Sequence, residues 1–379
     1  RELYRFDGNS ITLAADINPG NASSSPSGLF VYDGNLYFAA TSATAGRELF
    51  QFDGTTLTMI QLNSSGDTFE PLSVSNPHNE FVEFGGQLYF AAQSSSTEGF
   101  ELFRFDTVNG IKLAANIDTG SGSSRPGDFA VYNGDLYFAA TSTTTTFGNV
   151  GRELFVHDGS SVSLLGNLNS GSASSDPSDL TVNDGLLYFA ATSTFGLFGN
   201  IGTELFSFDG TTVNDFDLNP GSSSSAPTGL TSAGGALYFA SGTGTDGSFN
   251  REMFFVDDSK GTSGPIIVNP SGSVGSDPSD LVAVGSDLYF AATGSGSNRE
   301  VWRVSSGLLE FVADVREGST GSNPVNLFDF SGSLVFAADD GSPLLQHELH
   351  RVIPASAVNY AWTIDSPLGF DATGVTGLV

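Results

Sequence analysis

Apolar residues in this chain come in short alternating runs, each closed by Gly, Ser, Thr, Asn or Asp. Residues 29–32, 36–40, 48–52 and 57–62 show the unit: four apolar runs, with Asp33-Gly34 between the first two and Asp53-Gly54 between the last two. Alternation with period two is the mark of a strand with one buried face. Asp-Gly between two such runs predicts a hairpin, because both turn positions favour positive φ. Each unit therefore reads as two hairpins joined by a Ser/Thr/Gly loop.

The unit recurs along the whole chain. Leu-Tyr-Phe-Ala-Ala starts at Leu36, Leu88, Leu136, Leu187 and Leu288, and altered forms start at Leu237 and Leu334. An acid, an apolar residue and then, in all but the last copy, an aromatic ring recur from Glu2, Glu48, Glu101, Glu153, Glu204, Glu252, Glu300 and Glu348, 46 to 53 residues apart. Two hairpins per repeat make a four-stranded antiparallel blade. One blade cannot bury both its faces, so blades must stack, and a ring removes exposed ends. The expected fold is all-β: a seven-bladed β-propeller of four-stranded antiparallel blades over residues 1–352, with 353–379 a short C-terminal extension or linker. The chain opens in a third strand and ends just past another. The closing blade is therefore expected to draw on both chain ends, with residues 327–330 and 334–338 inside and 11–16 as its outer strand.

Composition narrows the function classes. The 379 residues carry 42 acids against 13 bases, a formal charge of −29, with only Lys112 and Lys260 as lysines. No basic stripe exists to neutralise phosphates, so nucleic acid is excluded as a direct partner, and anionic membrane surfaces are disfavoured. No run is long and apolar enough for membrane insertion as a helix. With no cysteine, disulfides, thiolate catalysis and cysteine zinc sites are absent. High acid, low lysine and abundant Ser/Thr/Gly suit a secreted bacterial protein, extracellular or at the cell surface.

Gly46-Arg47-Glu48-Leu49-Phe50-Gln51-Phe52-Asp53-Gly54-Thr55 resembles the ELWxxDGT repeat of bacterial surface and secreted proteins. Asp16-Ile17-Asn18-Pro19-Gly20, followed by Ser23-Ser24-Ser25-Pro26-Ser27, is similar to that family as well. The family's tryptophan is Tyr or Phe here, except at Trp302. The resemblance implies a β-propeller on large secreted or surface-attached proteins and implies no particular reaction.

Candidate chemistry lies in the loops. Asp16 and Asn18, Asp118, Asp217 and Asn219, and Asp314 sit at alternate positions before a glycine turn in the connections between blades. Hard oxygens so spaced suit Ca²⁺, or they cap the turn through backbone hydrogen bonds. Asp128, Asp179 and Asp280 precede the innermost strands. They either ring a channel mouth, where a cation or polyhydroxylated ligand binds, or serve turn chemistry after Pro126, Pro177 and Pro278. Phe147, Phe195, Phe198 and Phe249 stand in second-to-third strand loops and form either an exposed partner-binding patch or a seal folded inward. The recurring Glu suits a repeated bond to a neighbouring blade. His347-Glu348-Leu349-His350 is one residue short of a zinc motif. The expected function is a non-catalytic extracellular or cell-surface protein that acts by protein–protein contact or self-assembly, with calcium as its stabilising ion. A carbohydrate-binding propeller taking a surface polysaccharide is the alternative. A propeller polysaccharide lyase or hydrolase is third and needs two convergent carboxylates.

Overall fold

A computed structural model describes residues 1–353 and 363–364, apart from 9, 63–67, 70–80, 96–98, 145, 196, 244–248, 258–261, 270–274, 296–297, 317, 319 and 342–347. The chain is all-β, and its strands form seven four-stranded antiparallel blades arranged as a seven-bladed β-propeller. The blades run from residue 27 to 60, 81 to 115, 127 to 166, 178 to 216, 228 to 266, 279 to 313 and 325 to 364. Blade 1 has strands Ser27–Tyr32, Asn35–Ser42, Gly46–Phe52 and Leu57–Ile60, close to the runs read from the sequence.

The closing blade departs from expectation. Blade 7 is completed within the C-terminal segment: Glu348–Ile353 is its third strand and Thr363–Ile364 its outer one, with Val352 opposite Ile364. The N-terminal strands Leu3–Phe6 and Ile11–Ala15 pair with each other as a separate hairpin. The physical reason is locality. The Asp7-Gly8 turn closes that hairpin over a few residues, and the outer place in blade 7 is filled from a short distance down the chain. The hairpin stands beside blade 1, where Leu3 and Ile17 pack with Phe38, Ala40, Phe50 and Phe52. Of the extension, only residues 363–364 beyond 353 lie among the described residues.

The two turns of a blade use different chemistry. At the first, Asp33 and Gly34 both take positive φ, 48° and 74°, as a type I′ hairpin requires. At the second, only Gly54 does, at 96°. Asp53 instead accepts the N–H groups of Thr55 and Thr56 at 2.8 and 2.7 Å, an Asx turn. These bonds hold the Asp53 carboxyl below the usual range.

Contacts divide the described residues into two compact units, Arg1–Leu180 with Phe189–Asn200, and Thr181–Tyr188 with the residues from Ile201 on. In both, the second and third strands stack aromatic rings. Phe38 lies on Phe50 and Phe138 on Phe155 in the first unit, and Phe239 lies on Phe254 in the second, with centroids 5.8, 6.2 and 5.9 Å apart. These rings are buried apart from Phe254, which is half-buried, and their area drives blade to blade.

Successive blades are joined by a buried carboxyl. Glu101 accepts Ile117 N–H at 2.7 Å, Ser124 N–H at 3.1 Å and the Ser124 hydroxyl at 2.7 Å. Glu2 with Ser24, Glu153 with Ser175, and Glu204 with Ser225 repeat the arrangement. Glu48 holds Thr68, Glu252 holds Ser276, and Glu300 holds Ser322. The same hydroxyl residue ties down its own blade, for its carbonyl accepts a second-strand N–H, as from Thr141 to Ser124 at 2.8 Å and from Thr192 to Ser175 at 2.7 Å. Just before the glutamate, Arg47, Arg251 and Arg299 reach back to the start of the first strand, donating to the carbonyls of Ser25, Ala226 and Asp277.

Burial dominates the charge state of these clamps. Desolvation raises Glu101, Glu252 and Glu300, and carries Glu153 and Glu204 to about 7 against the bonds that favour the carboxylate. The neutral acid fits too. Ser124 Oγ lies 3.3 Å from the Phe100 carbonyl and can donate there while accepting from a protonated Glu101. Burial also acts on Glu2, but there the bonds from Ser24, Ile17 and Asn18 outweigh it and the carboxyl is lowered.

Two outcomes follow from the clamps. Ser175→Ala leaves Glu153 short of its hydroxyl donor and is expected to lower unfolding free energy by about 1–3 kcal/mol, measured by urea denaturation against the exposed control Ser160→Ala. A glutamate raised on folding stabilises fully below its unfolded pKa, and loses that contribution as pH rises through about 7 for Glu153 and Glu204. The urea midpoint should therefore fall between pH 5 and 9, and fall less steeply in the Glu153→Gln, Glu204→Gln double variant. Equal slopes would refute the assignment.

Candidate functional site

The loop pairs proposed to hold calcium are split by a bend in the chain. Asp16, Asp217 and Asp314 face solvent, while Asn18 and Asp118 are buried and Asn219 half-buried. The inward member holds protein. Asp118 accepts the N–H and hydroxyl of Thr143 at 3.0 and 2.9 Å, and Asn219 donates to the Ser224 carbonyl at 2.8 Å. Asn169, in the same place in the next connection, holds Thr194 and Phe195 likewise. In an extended strand alternate residues would share a face, but the chain bends at residues 17–18 and 218–219, so one member of each pair turns to solvent and the other to the protein. Among the described residues no group of three His, Asp or Glu side chains is placed to hold a metal.

Asp128, Asp179 and Asp280 occupy the left-handed region, with φ of 54°, 56° and 53°. In blades 3 and 6 the residue sits where the register of the first strand slips, between Gly127 and Ala130 and between Ser279 and Val282. Asp tolerates that conformation. Its side chain also links blades: Asp128 accepts Asp179 N–H at 3.2 Å, and Asp280 accepts Asn326 N–H at 2.7 Å. Arg152 lies 3.6 Å from Asp128.

The phenylalanines part company. Phe147 folds inward, edge-on to Phe155 at 5.3 Å, so it leaves the expected exposed patch. Phe198 is half-buried. Phe195 is 68 % exposed, beside Leu197 at 87 %, on a loop pinned by Asn169. The side chain of Phe249 lies outside the described residues, as does His347.

Blade 7 breaks the repeat in one cluster. Among the described residues eight clamp glutamates face seven hydroxyl residues, and Glu2 already holds Ser24. Glu348 is 4 % exposed, and no donor among the described residues reaches its buried Oε2. Burial raises its pKa, and so do the nearby Asp340, which hydrogen-bonds it, and Asp339. Ala338 pairs with Glu348 across the sheet, which brings the second residue beyond it, Asp340, to the same end of the strands. Other blades carry Ser42, Ser142 or Ser193 where Asp340 stands. Arg316 replaces the inward Asn or Asp of the connection and pairs with Asp339 at 2.5 Å. Gly341 has φ of 83°, and a Cβ there would lie 3.2 Å from the Arg316 guanidinium. His350 takes the place of the stacked aromatic, 5.6 Å from Phe336 and 2 % exposed. Among the described residues no hydrogen bond of normal geometry reaches either ring nitrogen, and burial lowers its pKa. By spacing alone Glu348 is one more repeated glutamate. The Asp339-Asp340 pair, where other repeats carry Thr-Ser, was the signal that set it apart.

No family model matches the chain, and no curated protein matches it either. Solved structures share the fold. A puromycin hydrolase is 15 % identical, with TM-score 0.50 over 89 % of this chain and 54 % of its own length. A structure from a study of two prolyl endopeptidases is 11 % identical, with TM-score 0.51 over 90 % of this chain and 50 % of its own. An oligogalacturonate lyase in complex with manganese is 13 % identical, with TM-score 0.45 over 84 % and 85 %. The chain spans about half the length of the peptidases it resembles. At these identities the likeness establishes the fold alone. The expectation of a non-catalytic scaffold is nevertheless corrected, because the similar propellers belong to enzymes. Blade 7, moreover, departs from the periodic frame and holds an asymmetric cluster of side chains.

Proposed function

We propose that this propeller is catalytic: a hydrolase working by carboxyl acid–base chemistry, with Asp340 and Glu348 as its proton-handling pair. The observation that carries the reading is the hydrogen-bonded meeting of these two groups at the rim of blade 7. Like charges at hydrogen-bond distance do not both ionise, so such a pair holds one proton. The ionised member takes a proton from water as the water oxygen bonds to an acyl carbon. The protonated member gives its proton to the leaving nitrogen as the carbon–nitrogen bond breaks. The products are an acid and an amine, and the pair keeps one proton with its members' roles exchanged. Glycoside hydrolysis uses carboxyl groups about 5 to 9.5 Å apart, so direct contact fits an acyl substrate better. The fold-level likeness to peptidases supports the same class by analogy. The charge of −29, the absence of cysteine and the ELWxxDGT-like strings support a place outside the cell.

Amine release from a panel of peptide amides tests the reading. Asp340→Asn and Glu348→Gln are each expected to lower kcat/KM by about 100-fold or more, while the exposed Asp314→Asn leaves it unchanged. The wild-type pH profile should be bell-shaped, as a coupled pair gives. Undiminished turnover in both variants, or none in the wild type, would remove the pair from catalysis.

A further inference from the structure

The chain itself shows what a glutamate in the clamp position binds. In four copies the carboxyl takes a serine hydroxyl at 2.5–2.7 Å, the N–H of that serine, and the N–H of the residue seven positions earlier: Ile17, Ile117, Leu168 and Leu218. Thr68 on Glu48 shows that threonine also serves. The occupant is always a turn of peptide bearing a hydroxyl residue. Every such residue in the seven connections already has its glutamate, whereas Glu348 keeps the burial of the others without their donors.

We propose that Glu348 is a seat for a serine or threonine residue of a peptide ligand, which donates its hydroxyl and backbone N–H to this carboxyl. The geometry of the seven filled copies defines the ligand class. A sugar supplies hydroxyls but lacks the peptide N–H that each well-defined clamp uses. The strong negative charge of the chain disfavours an acidic peptide, which leaves neutral or basic segments rich in Ser and Thr. Asp340 lies where the donor would enter, so it competes with the ligand for Glu348. As a substrate class, hydroxyl-bearing peptides rest on the hydrolase reading above; as a binding site, the seat stands without it.

Calorimetry on the full chain tests the seat, with a synthetic peptide copying residues 218–229 (Leu-Asn-Pro-Gly-Ser-Ser-Ser-Ser-Ala-Pro-Thr-Gly). It should bind the wild type about tenfold or more tightly than a version with alanine at all four serines, the worth of a hydrogen bond to a charged group. Glu348→Gln should erase that discrimination and Asp314→Asn should keep it. Asp340→Ala, which preserves Glu348 and removes its competitor, should tighten binding several-fold. Equal affinity for the two peptides, unchanged discrimination in Glu348→Gln, or no binding would overturn the seat. So would maltodextrin binding that depends on Glu348 in place of peptide binding. Serine-selective binding without hydrolysis of any peptide sinks the hydrolase reading and leaves the seat. Hydrolysis indifferent to serine does the reverse.

Discussion

The structure depends on one costly arrangement, a carboxyl group buried between consecutive blades. A charged group in such a place is tolerated only when donors surround it. Here the donors come from the next connection: a hydroxyl, its own N–H and an N–H seven residues earlier. The apolar faces supply most of the attraction between blades, because stacked rings such as Phe138 and Phe155 bury large areas. Area has no direction, however. The clamp sets where each blade meets its neighbour, since a slip by one residue would leave a buried acid without donors. The serine carbonyl, bonded to its own blade's second strand, passes that register on.

A repeated joint needs equal numbers of donors and acceptors, and among the described residues there is one acceptor too many. The N-terminal hairpin brings Glu2, which fills the serine ahead of blade 1, so Glu348 is left over. Around that surplus acid the other departures collect: Arg316 for an amide, Asp339 and Asp340 for hydroxyl residues, and His350 for a ring. Each is unremarkable alone. Together they replace a structural joint with a buried carboxyl that meets a second acid, and this is how an otherwise periodic frame acquires an asymmetric centre.

The polar loop residues teach the opposite lesson. Asp16 with Asn18 and Asp217 with Asn219 have the spacing of ligands, yet one of each pair faces water and the other turns inward, where Asn219 braces the connection. The left-handed aspartates Asp128 and Asp280 also serve the frame, accepting N–H groups from the following blade. In a turn-dense β protein, short acids and amides are needed for backbone hydrogen bonds first.

The repeat, the blades, the four-strand count and the hairpin turns were legible in the sequence alone. Alternation, Asp-Gly turns and a period near 50 residues are local or periodic properties that survive without coordinates. The likeness of Glu48, Glu101 and Glu153 was visible too, and with it the expectation of a repeated bond. Tertiary structure decided the rest. Whether Ile11–Ala15 or Thr363–Ile364 completes blade 7 turned on competition between a local hairpin and a distant strand. Whether Phe147 points in or out turned on the space beside Phe155. Among the described residues Glu348 has no serine of its own. The meaning of this emerged only when burial left that carboxyl with Asp340 for company, because desolvation and the facing of two acids are properties of a packed environment and not of any residue's place in the chain.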